Sequence, residues 1–409
     1  MNGELVVVGA GQAGVDLVDG LRTGGWAGGL TLLGEEGHAP YERPPLSKTH
    51  LHDPATVPSP LRAAEFWDEQ DVRHRPGTVA VGIDRAGRRL RLADGTEVGW
   101  DVLVLATGAR HRRLDVPGAD LPGVAQLRTL DDAVQVARAL DTAPRVVVVG
   151  GGILGVELAA NARARGADVT LLARGPRLLA RTASAPVAQT LRERHTAAGV
   201  RVETGTGVVR IEARDGRVGA VLDSRGRTHP AELVLVAVGA EPRVDLARDA
   251  GIETDDGILV DATLRTSAPE VYAIGDCARP RDGARRETVQ SATAQARHLA
   301  AGLLGTVDGG RAPDDVPWFA SDQGGVRLQS AGTPPTDPVP AGTTQVRRGP
   351  GDGPHSVFSW VGSTLVAVES VDAGRDHATA RRLLAAGVAV DPAVAADPAV
   401  DLRGLLRRG

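Results

Sequence analysis

The sequence contains one cysteine, Cys277, and aromatic residues occupy only 2% of its 409 positions. A single thiol excludes a disulfide framework and a paired-cysteine redox centre. With so few aromatic rings, the cores have to be built from aliphatic side chains. No apolar run approaches about 18 residues, so we expect no membrane span. The first strand begins at residue 4, so we expect no signal peptide and a cytoplasmic protein.

A large excess of one charge is also lacking, because 47 basic and 51 acidic residues leave a formal net charge of −4. This balance excludes a general polyanion binder, and the sequence has no nucleic-acid-binding motif. We also expect no metal site. What the chain has in abundance is glycine, 52 residues, between Val- and Ala-rich strands that alternate with helical patterns. The alternation predicts an α/β fold, and the length predicts two or three domains.

The chain opens with an apolar run that leads into the G-x-G-x-x-G turn of Gly9, Gly11 and Gly14 and then into an amphipathic stretch. This order is typical of a dinucleotide-binding βαβ unit. Gly9 permits the tight turn, Gly11 lets the backbone approach a pyrophosphate, and Gly14 lets the helix pack on the strand. Glu35 ends the second strand about 20 residues further on, where an acid usually binds a ribose hydroxyl.

A second copy of the motif follows a second apolar strand, and its glycines are Gly150, Gly152 and Gly155. Two fingerprints predict two nucleotide sites. In place of the ribose acid the second copy has Ala173, followed by Arg174 and Arg177. Arginines bind a 2′-phosphate through charge-assisted hydrogen bonds, whereas an acid repels it. The second site is therefore predicted to prefer NADPH, with NADH as the alternative if these arginines are only solvated.

Other stretches predict local structure. A buried strand ends in the small residues Ala106, Thr107 and Gly108, which would let the backbone lie against a flat ligand. Ser47 is predicted to cap a short helix that starts at Lys48, and spacing alone favours a solvated Lys48. Residues 287–298 are predicted to form a helix. Residues 331–354, rich in Pro, Gly and Thr, are predicted to be a mobile linker.

Several motifs together resemble one family. Besides the two glycine fingerprints they are Pro44-Pro45-Leu46-Ser47-Lys48, Ala106-Thr107-Gly108, Gly275-Asp276-Cys277-Ala278 and Trp318-Phe319-Ala320-Ser321-Asp322-Gln323. Over nearly the whole chain, their order and spacing resemble the FAD-dependent ferredoxin reductases of oxygenase systems. The resemblance implies a glutathione-reductase-type fold with two Rossmann-like dinucleotide-binding domains and a C-terminal α/β domain. Their implied bounds are 1–111 with 242–316 for FAD, 112–241 for NAD(P) and 317–409 for the C-terminal domain.

The resemblance also implies roles for individual residues. FAD would be held by Gly9, Gly11, Gly14, Glu35, Lys48, Ala80, Ala106, Thr107, Gly108, Arg128, Asp276 and Val289. NAD(P)H would be held by Gly150, Gly152, Gly155 and Glu157, together with Arg174 and Arg177, which the residues after the second fingerprint already indicated. Lys48 would sit beside the isoalloxazine and pair with Glu157, and these two residues would support the hydride transfer. This reverses the interpretation of Lys48 as a solvated side chain.

The implied activity passes electrons from NAD(P)H through FAD to a small iron–sulfur ferredoxin that feeds an oxygenase. Candidates to steer an acidic partner are Arg297 and the cluster Arg110, Arg112 and Arg113, although these arginines fit a plain solvated face equally well. Three positions depart from the family pattern, namely Ala320 where Trp is usual, Val371–Arg375 in place of a Val-Asn-Arg-Pro segment, and His111 in place of Pro. The first two bear on the acceptor, not on the cofactors.

Two other functions stay open on these residues. The space left by Ala320 would suit a flavoenzyme that acts directly on a small molecule. A non-catalytic protein that binds NAD(P)H and responds through its conformation would need the same fingerprints. A disulfide reductase is disfavoured by the lack of paired cysteines, and Cys277 is predicted to be a buried small residue rather than a nucleophile.

Overall fold

The structure is a computed structural model that describes residues 3–53, 56, 58–306, 316–351 and 353–407. Its strands in chain order are β1 (Leu5–Val8), β2 (Leu30–Leu33), β3 (Val72–Arg75), β4 (Ala80–Asp84), β5 (Arg89–Leu92), β6 (Glu97–Gly99), β7 (Val102–Leu105), β8 (Ala109–His111), β9 (Val124–Ala125), β10 (Arg145–Val149), β11 (Asp168–Ala173), β12 (Arg201–Thr204), β13 (Val208–Arg214), β14 (Arg217–Asp223), β15 (Thr228–Pro230), β16 (Leu233–Val236), β17 (Ala240–Pro242), β18 (Thr254–Asp255), β19 (Gly257–Val260), β20 (Val271–Ala273), β21 (Ala278–Pro280), β22 (Trp318–Asp322), β23 (Arg327–Gly332), β24 (Thr343–Arg348), β25 (His355–Val361) and β26 (Thr364–Val371).

The α-helices in chain order are α1 (Gln12–Thr23), α2 (Thr49–His52), α3 (Phe66–Glu69), α4 (Leu130–Leu140), α5 (Ile153–Ala164), α6 (Ala185–Ala197), α7 (Asp245–Asp249), α8 (Val289–Leu303), α9 (Gly374–Ala385) and α10 (Pro392–Ala396). Short 3-10 helices span Pro44–Ser47, Gly275–Cys277 and Leu402–Arg407. In the described part of the chain, no helix has the length and apolar character needed to cross a membrane.

The chain divides into two compact units. The first comprises Met1–Arg43, Pro58–Arg110 and Ala240–Asp314, and the second comprises Pro44–Val57, His111–Gly239 and Asp315–Gly409. The predicted three-domain boundaries stay a prediction. They assign Pro44–Val57 to the FAD domain, whereas in the structure this segment belongs to the second unit.

The first unit is built on a parallel sheet of order β20-β7-β1-β2-β3. Val8 of β1 is in register with Leu33 of β2 on one side and with Leu105 of β7 on the other. All residues of these three strands are buried, as expected when both faces of a parallel sheet are covered. Helix α1 packs against α8. The carboxyl ends of the strands therefore form one edge, which the first glycine turn lines.

The second unit repeats this plan with a parallel sheet of order β12-β11-β10-β16-β9. Val149 of β10 is in register with Leu172 of β11 and Val236 of β16. Helix α4 on this unit begins with a capping box in which the Thr129 side chain accepts from the Asp132 N–H while the Asp132 side chain accepts in return. This arrangement satisfies free N–H groups of the first turn.

The C-terminal part of the second unit is an antiparallel sheet of order β22-β23-β26-β25-β24. One face carries the aromatic residues Phe358 and Trp360, which pack with Ala380 and Leu383 of α9. Two parallel nucleotide-type sheets and this C-terminal sheet with its helices confirm the predicted α/β class.

Two local predictions are wrong. Residues 331–354 are not a linker, because β24 lies within them and pairs antiparallel with β25, with Val346 opposite Phe358. Ser47 does not cap a helix, because the N-cap of α2 is Lys48 and makes no side-chain capping bond. Strand β24 was not predicted because turn-forming residues surround it. The Ser47 hydroxyl has a buried carboxylate as its partner instead of a free N–H group.

Two other local predictions hold. The predicted helix at 287–298 exists with later bounds as α8, and the side chain of Thr288 caps it by accepting from the N–H of Ser291. Cys277 is fully buried, as predicted.

Candidate functional site

The first glycine turn places the backbone in contact with its neighbours at two positions and leaves it open at the third. Gly9 has φ +121°, and a Cβ there would lie 2.1 Å from the main-chain oxygen of Ala106. A Cβ at Gly14 would lie 2.0 Å from the oxygen of Gly9. A Cβ at Gly11 would meet nothing within 4 Å. Gly9 and Gly14 are therefore required by the fold itself, whereas Gly11 borders open space at the start of α1.

The second glycine turn has the same geometry. Gly150 has φ +122°, and a Cβ there would lie 2.2 Å from the oxygen of Ala237. A Cβ at Gly155 would lie 1.9 Å from the oxygen of Gly150, while Gly152 again has nothing within 4 Å. Each unit thus has a helix N-terminus reached by an open glycine, which is the arrangement that accepts a phosphate group.

The strand ends of the first unit bring several predicted FAD contacts together. The N–H of Ala106 donates to Val8, and the N–H of Ile274 donates to Leu105. A Cβ at Gly275 would lie 3.0 Å from the Cβ of Ala13. Asp276, which follows Gly275, therefore lies near the start of α1, beside the first glycine turn.

The remaining predicted FAD contacts are spread more widely. Glu35 follows β2, Ala80 begins β4, and Val289 begins α8 with 47% of its surface exposed. The hydroxyl of Thr107 donates to the oxygen of Arg243 at 2.7 Å, next to Gly108, whose φ is +68°. Arg128 and Lys48 belong to the second unit, and their contact with FAD stays a prediction.

Arg243 is a partner of Glu35 that the sequence patterns did not indicate. Its guanidinium faces both carboxylate oxygens, through Nη1 to Oε2 and through Nη2 to Oε1 at 3.0 Å. This hydrogen-bonded pair lowers the pKa of Glu35, against a smaller opposing effect of burial. Glu35 is therefore ionised near neutral pH and can accept hydrogen bonds from ribose hydroxyls.

The residues at and after the end of β11 are the ones predicted to face the ribose in the second site. The residue at the strand end is Ala173, which is 2% exposed, so the position has no carboxylate to bind ribose hydroxyls. Arg174 is exposed. Arg177 donates to the oxygens of Ala183 and Ala180 and pairs with Asp337. The structure thus separates the two predicted arginines into an exposed one and one that is bound to the protein.

Lys48 and Glu157 meet within the second unit, as the resemblance implied. Nζ of Lys48 lies 3.7 Å from Oε1 of Glu157 and donates to the main-chain oxygen of Ala320 at 3.2 Å. The side chain of Lys48 is 22% exposed, whereas that of Glu157 is 4% exposed. A buried carboxylate on α5 and a partly exposed ammonium group therefore lie close together.

Two serines complete the surroundings of Glu157. Ser47 donates to Oε2, and Ser321 of β22 donates to Oε1 at 2.6 Å. The pKa of Glu157 is raised overall, because burial outweighs the lowering by Lys48, Ser321 and Ser47. The charged form of this carboxyl therefore depends on three partners that favour it over the neutral form.

Asn161 joins the loop of Ser47 to α5. Its Nδ2 donates to the oxygen of Ser47 at 2.8 Å and to the oxygen of Glu157 at 3.1 Å. Sequence reasoning missed Asn161 and Ser321 in this role. Asn161 carried a signal in its spacing, since it lies four residues after Glu157 on the same helix face.

The arginines proposed to steer a partner differ in their surroundings. Arg110 pairs with Glu241 and Asp245, so its charge is largely balanced. Arg112, Arg113 and Arg297 are exposed. A role in steering stays a prediction for all four residues.

Each of the three places that depart from the family pattern has a contact with another part of the chain. Ala320 lies in β22, and its oxygen accepts from Lys48. Asp372 has φ +56° and accepts the N–H of Arg327 at 2.8 Å. His111 lies 3.6 Å from Asp132. In the described part of the chain, no group of three or more His, Cys, Asp or Glu residues could hold a metal ion.

Comparison with known proteins agrees with this geometry. Residues 3–296 match the family described as pyridine nucleotide-disulphide oxidoreductase, and residues 318–406 match a family described as reductase C-terminal. The chain is 42% identical to rhodocoxin reductase of Rhodococcus erythropolis, over 99% of this chain and 94% of that protein. It is 39% identical to the ferredoxin reductase component of chlorobenzene dioxygenase from Cupriavidus sp. strain PS12, over 98% and 97% of the two chains.

A solved structure gives the same result. The ferredoxin reductase for the CYP199A2 system of Rhodopseudomonas palustris superposes with a TM-score of 0.91 at 39% identity, covering 98% of this chain and 99% of the other. Both nucleotide units and the C-terminal sheet are included in this coverage. With two glycine turns of matching geometry and full-length relatives above 30% identity, the chain belongs to the ferredoxin reductases of the pyridine nucleotide-disulphide oxidoreductase family.

Proposed function

We propose that this protein is an FAD-dependent reductase that transfers electrons from NAD(P)H to a small iron–sulfur ferredoxin, which in turn feeds an oxygenase. The observation that carries the proposal is the repeated glycine turn, in which Gly11 and Gly152 border open space at two helix N-termini. Two such sites suit two dinucleotides, one resident and one exchanged. FAD, when bound, supplies the chemistry that links the two-electron donor to a one-electron acceptor.

The residues of the first unit fit the ADP half of FAD. The open edge at Gly11 admits the pyrophosphate to the N–H groups of α1, whose dipole favours negative charge. The carboxylate of Glu35, kept charged by Arg243, would accept hydrogen bonds from the ribose. Asp276, beside α1, would accept from the hydroxyls of the ribityl chain.

The residues of the second unit fit NAD(P)H as the electron donor. Gly152 would admit the pyrophosphate to the N-terminus of α5. Glu157 would accept from the carboxamide of the nicotinamide and keep the Lys48 ammonium in place. Lys48 would stabilise the negative charge that develops next to its ammonium group during hydride transfer. A cation already fixed in place needs no reorganisation during the reaction.

We infer that NADPH is the preferred donor, and Arg174 carries that preference. Ala173 stands in place of the acid that would repel a 2′-phosphate, and Arg174 beside it has an exposed side chain that would be available to such a phosphate. Arg177 supports the preference less, because protein groups already hold its guanidinium. We also propose a cytoplasmic location. The proposed reaction consumes NAD(P)H, and the single cysteine is free and buried.

The proposal is tested with the purified protein and its bound flavin. Stopped-flow absorbance near 450 nm, where oxidised flavin absorbs, follows bleaching after mixing with NADPH or NADH. A coupled assay with a [2Fe–2S] ferredoxin and cytochrome c then follows electron delivery. We expect rapid bleaching and cytochrome c reduction that depends on added ferredoxin.

Three outcomes would contradict parts of the proposal. If FAD neither copurifies nor binds on addition, the assignment as a flavoprotein reductase fails. If bleaching is rapid but cytochrome c reduction is the same without ferredoxin, the acceptor is wrong. If NADH bleaches the flavin as fast as NADPH at equal concentrations, the preference assigned to Arg174 is wrong while the reductase function stands.

A further inference from the structure

Four buried polar side chains form a line from the end of α6 to the carboxylate of Glu157. Nε2 of His195 lies 3.0 Å from Oε1 of Gln323. Nε2 of Gln323 lies 3.3 Å from Oγ of Ser321, which lies 2.6 Å from Oε1 of Glu157. Each of the four residues is at most 4% exposed. Of these four residues, only Glu157 was predicted from the sequence to have a role in the site.

The chemistry of the groups gives the line one direction. The amide oxygen of Gln323 can only accept, so His195 donates to it from Nε2. The amide nitrogen of Gln323 can only donate, so the oxygen of Ser321 accepts from it. The hydroxyl hydrogen of Ser321 is then directed to Glu157. Burial lowers the pKa of His195, which keeps its ring neutral at pH 7 and adds no charge to the line.

We propose that Ser321, oriented by Gln323 and His195, is a positioning residue that favours the ionised form of Glu157 and directs it at Lys48 in the nicotinamide site. This inference rests on the proposed function, because it concerns the site assigned to NAD(P)H. Donors aligned head to tail polarise one another, so a charge-assisted bond at the end of such a line is stronger than a single neutral one. A hydroxyl on the C-terminal sheet thereby favours the charged form of a residue on α5.

Charged groups face Glu157 from two elements. Lys48 favours its ionised form, and Asp322 of β22 disfavours it. His52 of α2 is exposed. The other ionisable side chains on elements packed against α5 have partners of their own, namely His50 with Thr56, Arg165 with Asp141, Arg145 with Glu232 and Asp168 with Arg201. Removal of the Ser321 hydroxyl would therefore leave Lys48 and Ser47 as the supports of the charge.

The protein offers an unusual probe for this test, because Lys48 is the only lysine in the sequence. Labelling with 13C-lysine gives one side-chain Cε signal in the NMR spectrum of the FAD-loaded protein. That signal moves with pH when the carboxylate 3.7 Å away gains a proton. The E157Q variant identifies the part of the movement that comes from Glu157.

Four variants separate a positioning role from simple loss of packing. S321A removes the donor to Glu157, and S321T restores a hydroxyl as the conservative replacement. Q323E keeps the shape of the side chain but offers Ser321 an acceptor, which turns the hydroxyl away from Glu157. S330A is the matched control, because Ser330 is a buried serine of the adjacent strand whose hydroxyl has no hydrogen-bond partner among the described residues.

We expect the pH midpoint of the Lys48 signal to move upward in S321A and Q323E, and to stay at the wild-type position in S330A and S321T. In S321A, flavin bleaching by NADPH at one pH unit below the Lys48 midpoint of that variant should be about tenfold slower than at high pH, since a protonated Glu157 is the cause. A loss of rate that is equal at every pH would indicate a packing defect and overturn the inference.

An unchanged midpoint in both S321A and Q323E would also overturn it. If S321A does not fold, the Q323E midpoint decides the question. Failure here is distinct from failure of the proposed function. In the first case the wild-type protein still binds FAD, is bleached by NAD(P)H and reduces cytochrome c through ferredoxin. In the second case the wild-type protein itself fails at one of these three steps.

Discussion

Nε of Arg177 lies 2.9 Å from Oδ2 of Asp337, and the same guanidinium donates to the main-chain oxygens of Ala183 and Ala180. The bond to Asp337 joins the segment after β11 to the loop before β24, and the other two hold the guanidinium within its own segment. A guanidinium held by three protein groups is a structural residue, whereas the exposed Arg174 is available to a ligand. The two arginines of one loop therefore have different expected effects on substitution.

The variants R174A and R177A test this difference. R174A should raise the KM for NADPH about tenfold and leave that for NADH unchanged, because one charge-assisted contact to a phosphate is lost. R177A should lower stability by about 1–3 kcal/mol, since carbonyl groups and Asp337 lose their donor. Steady-state kinetics with both donors and thermal unfolding measure the two effects. A selective loss of NADPH affinity in R177A would reverse the assignment.

Substitution of Gly11 should weaken the binding of FAD, and substitution of Gly152 should weaken the binding of NADPH. G11A should fold, because its Cβ meets no protein atom within 4 Å, but the methyl group would keep the pyrophosphate from α1 and lower the flavin content. G152A should retain FAD and raise the KM for NADPH. The ratio of flavin to protein absorbance and steady-state kinetics distinguish the variants.

G14A provides the control for these two variants. Its Cβ would lie 2.0 Å from the oxygen of Gly9, so it should fail to fold rather than fail to bind. Full flavin content in G11A would show that Gly11 does not face the pyrophosphate.

We expect the stability of the folded protein to depend on pH through Glu369. It is fully buried in β26 and accepts the N–H of Ser184 at 3.0 and 3.2 Å. Burial raises its pKa to about 7, although Ser184 and Arg177 act in the opposite direction. The folded protein therefore binds a proton between the ordinary pKa of a glutamate and about pH 7, where the unfolded chain does not. Stability falls as pH rises through this window.

The E369Q variant should remove that loss, because an amide stays neutral at all pH values. Relative to wild type it should gain stability as pH rises from 5 to 8, by up to about 3 kcal/mol. Urea unfolding at the two pH values measures the difference, with S330A as a control that lacks a titratable change. An equal difference between E369Q and wild type at both pH values would contradict the raised pKa.

Cys277 should have no part in the chemistry. Its thiol is fully buried and donates to the oxygens of Leu105 and Ile274, and burial raises the pKa of the thiol, which keeps it protonated. C277S retains the donor, so its turnover should stay within about twofold of wild type. Slow labelling of the native protein by a thiol reagent is the second measurement. Loss of ferredoxin-dependent turnover in a folded C277S would favour a thiol-based reaction.

Local sequence patterns predicted the nucleotide units well, because their determinants are close together in the chain. An apolar strand, three glycines at fixed spacing and an amphipathic helix specify a βαβ turn by themselves. The structure gives each glycine the expected place, with φ +121° at Gly9 and +122° at Gly150. The strand at Thr343–Arg348 was missed because its pairing partner, β25, provides its stabilisation, and turn-forming residues surround it.

The sequence by itself determined the family, the α/β class and the two nucleotide turns, because backbone sterics and hydrophobic periodicity act over a few residues. Only the tertiary structure decided which side chains meet across long separations. Ser321 reaches Glu157 from 164 positions away, and Arg243 reaches Glu35 from 208 positions away. Serine and arginine are suited to many surroundings, so their partners depend on how strands and helices pack. The charge states of Glu157 and Glu369 follow from that packing, because burial and hydrogen bonds set them.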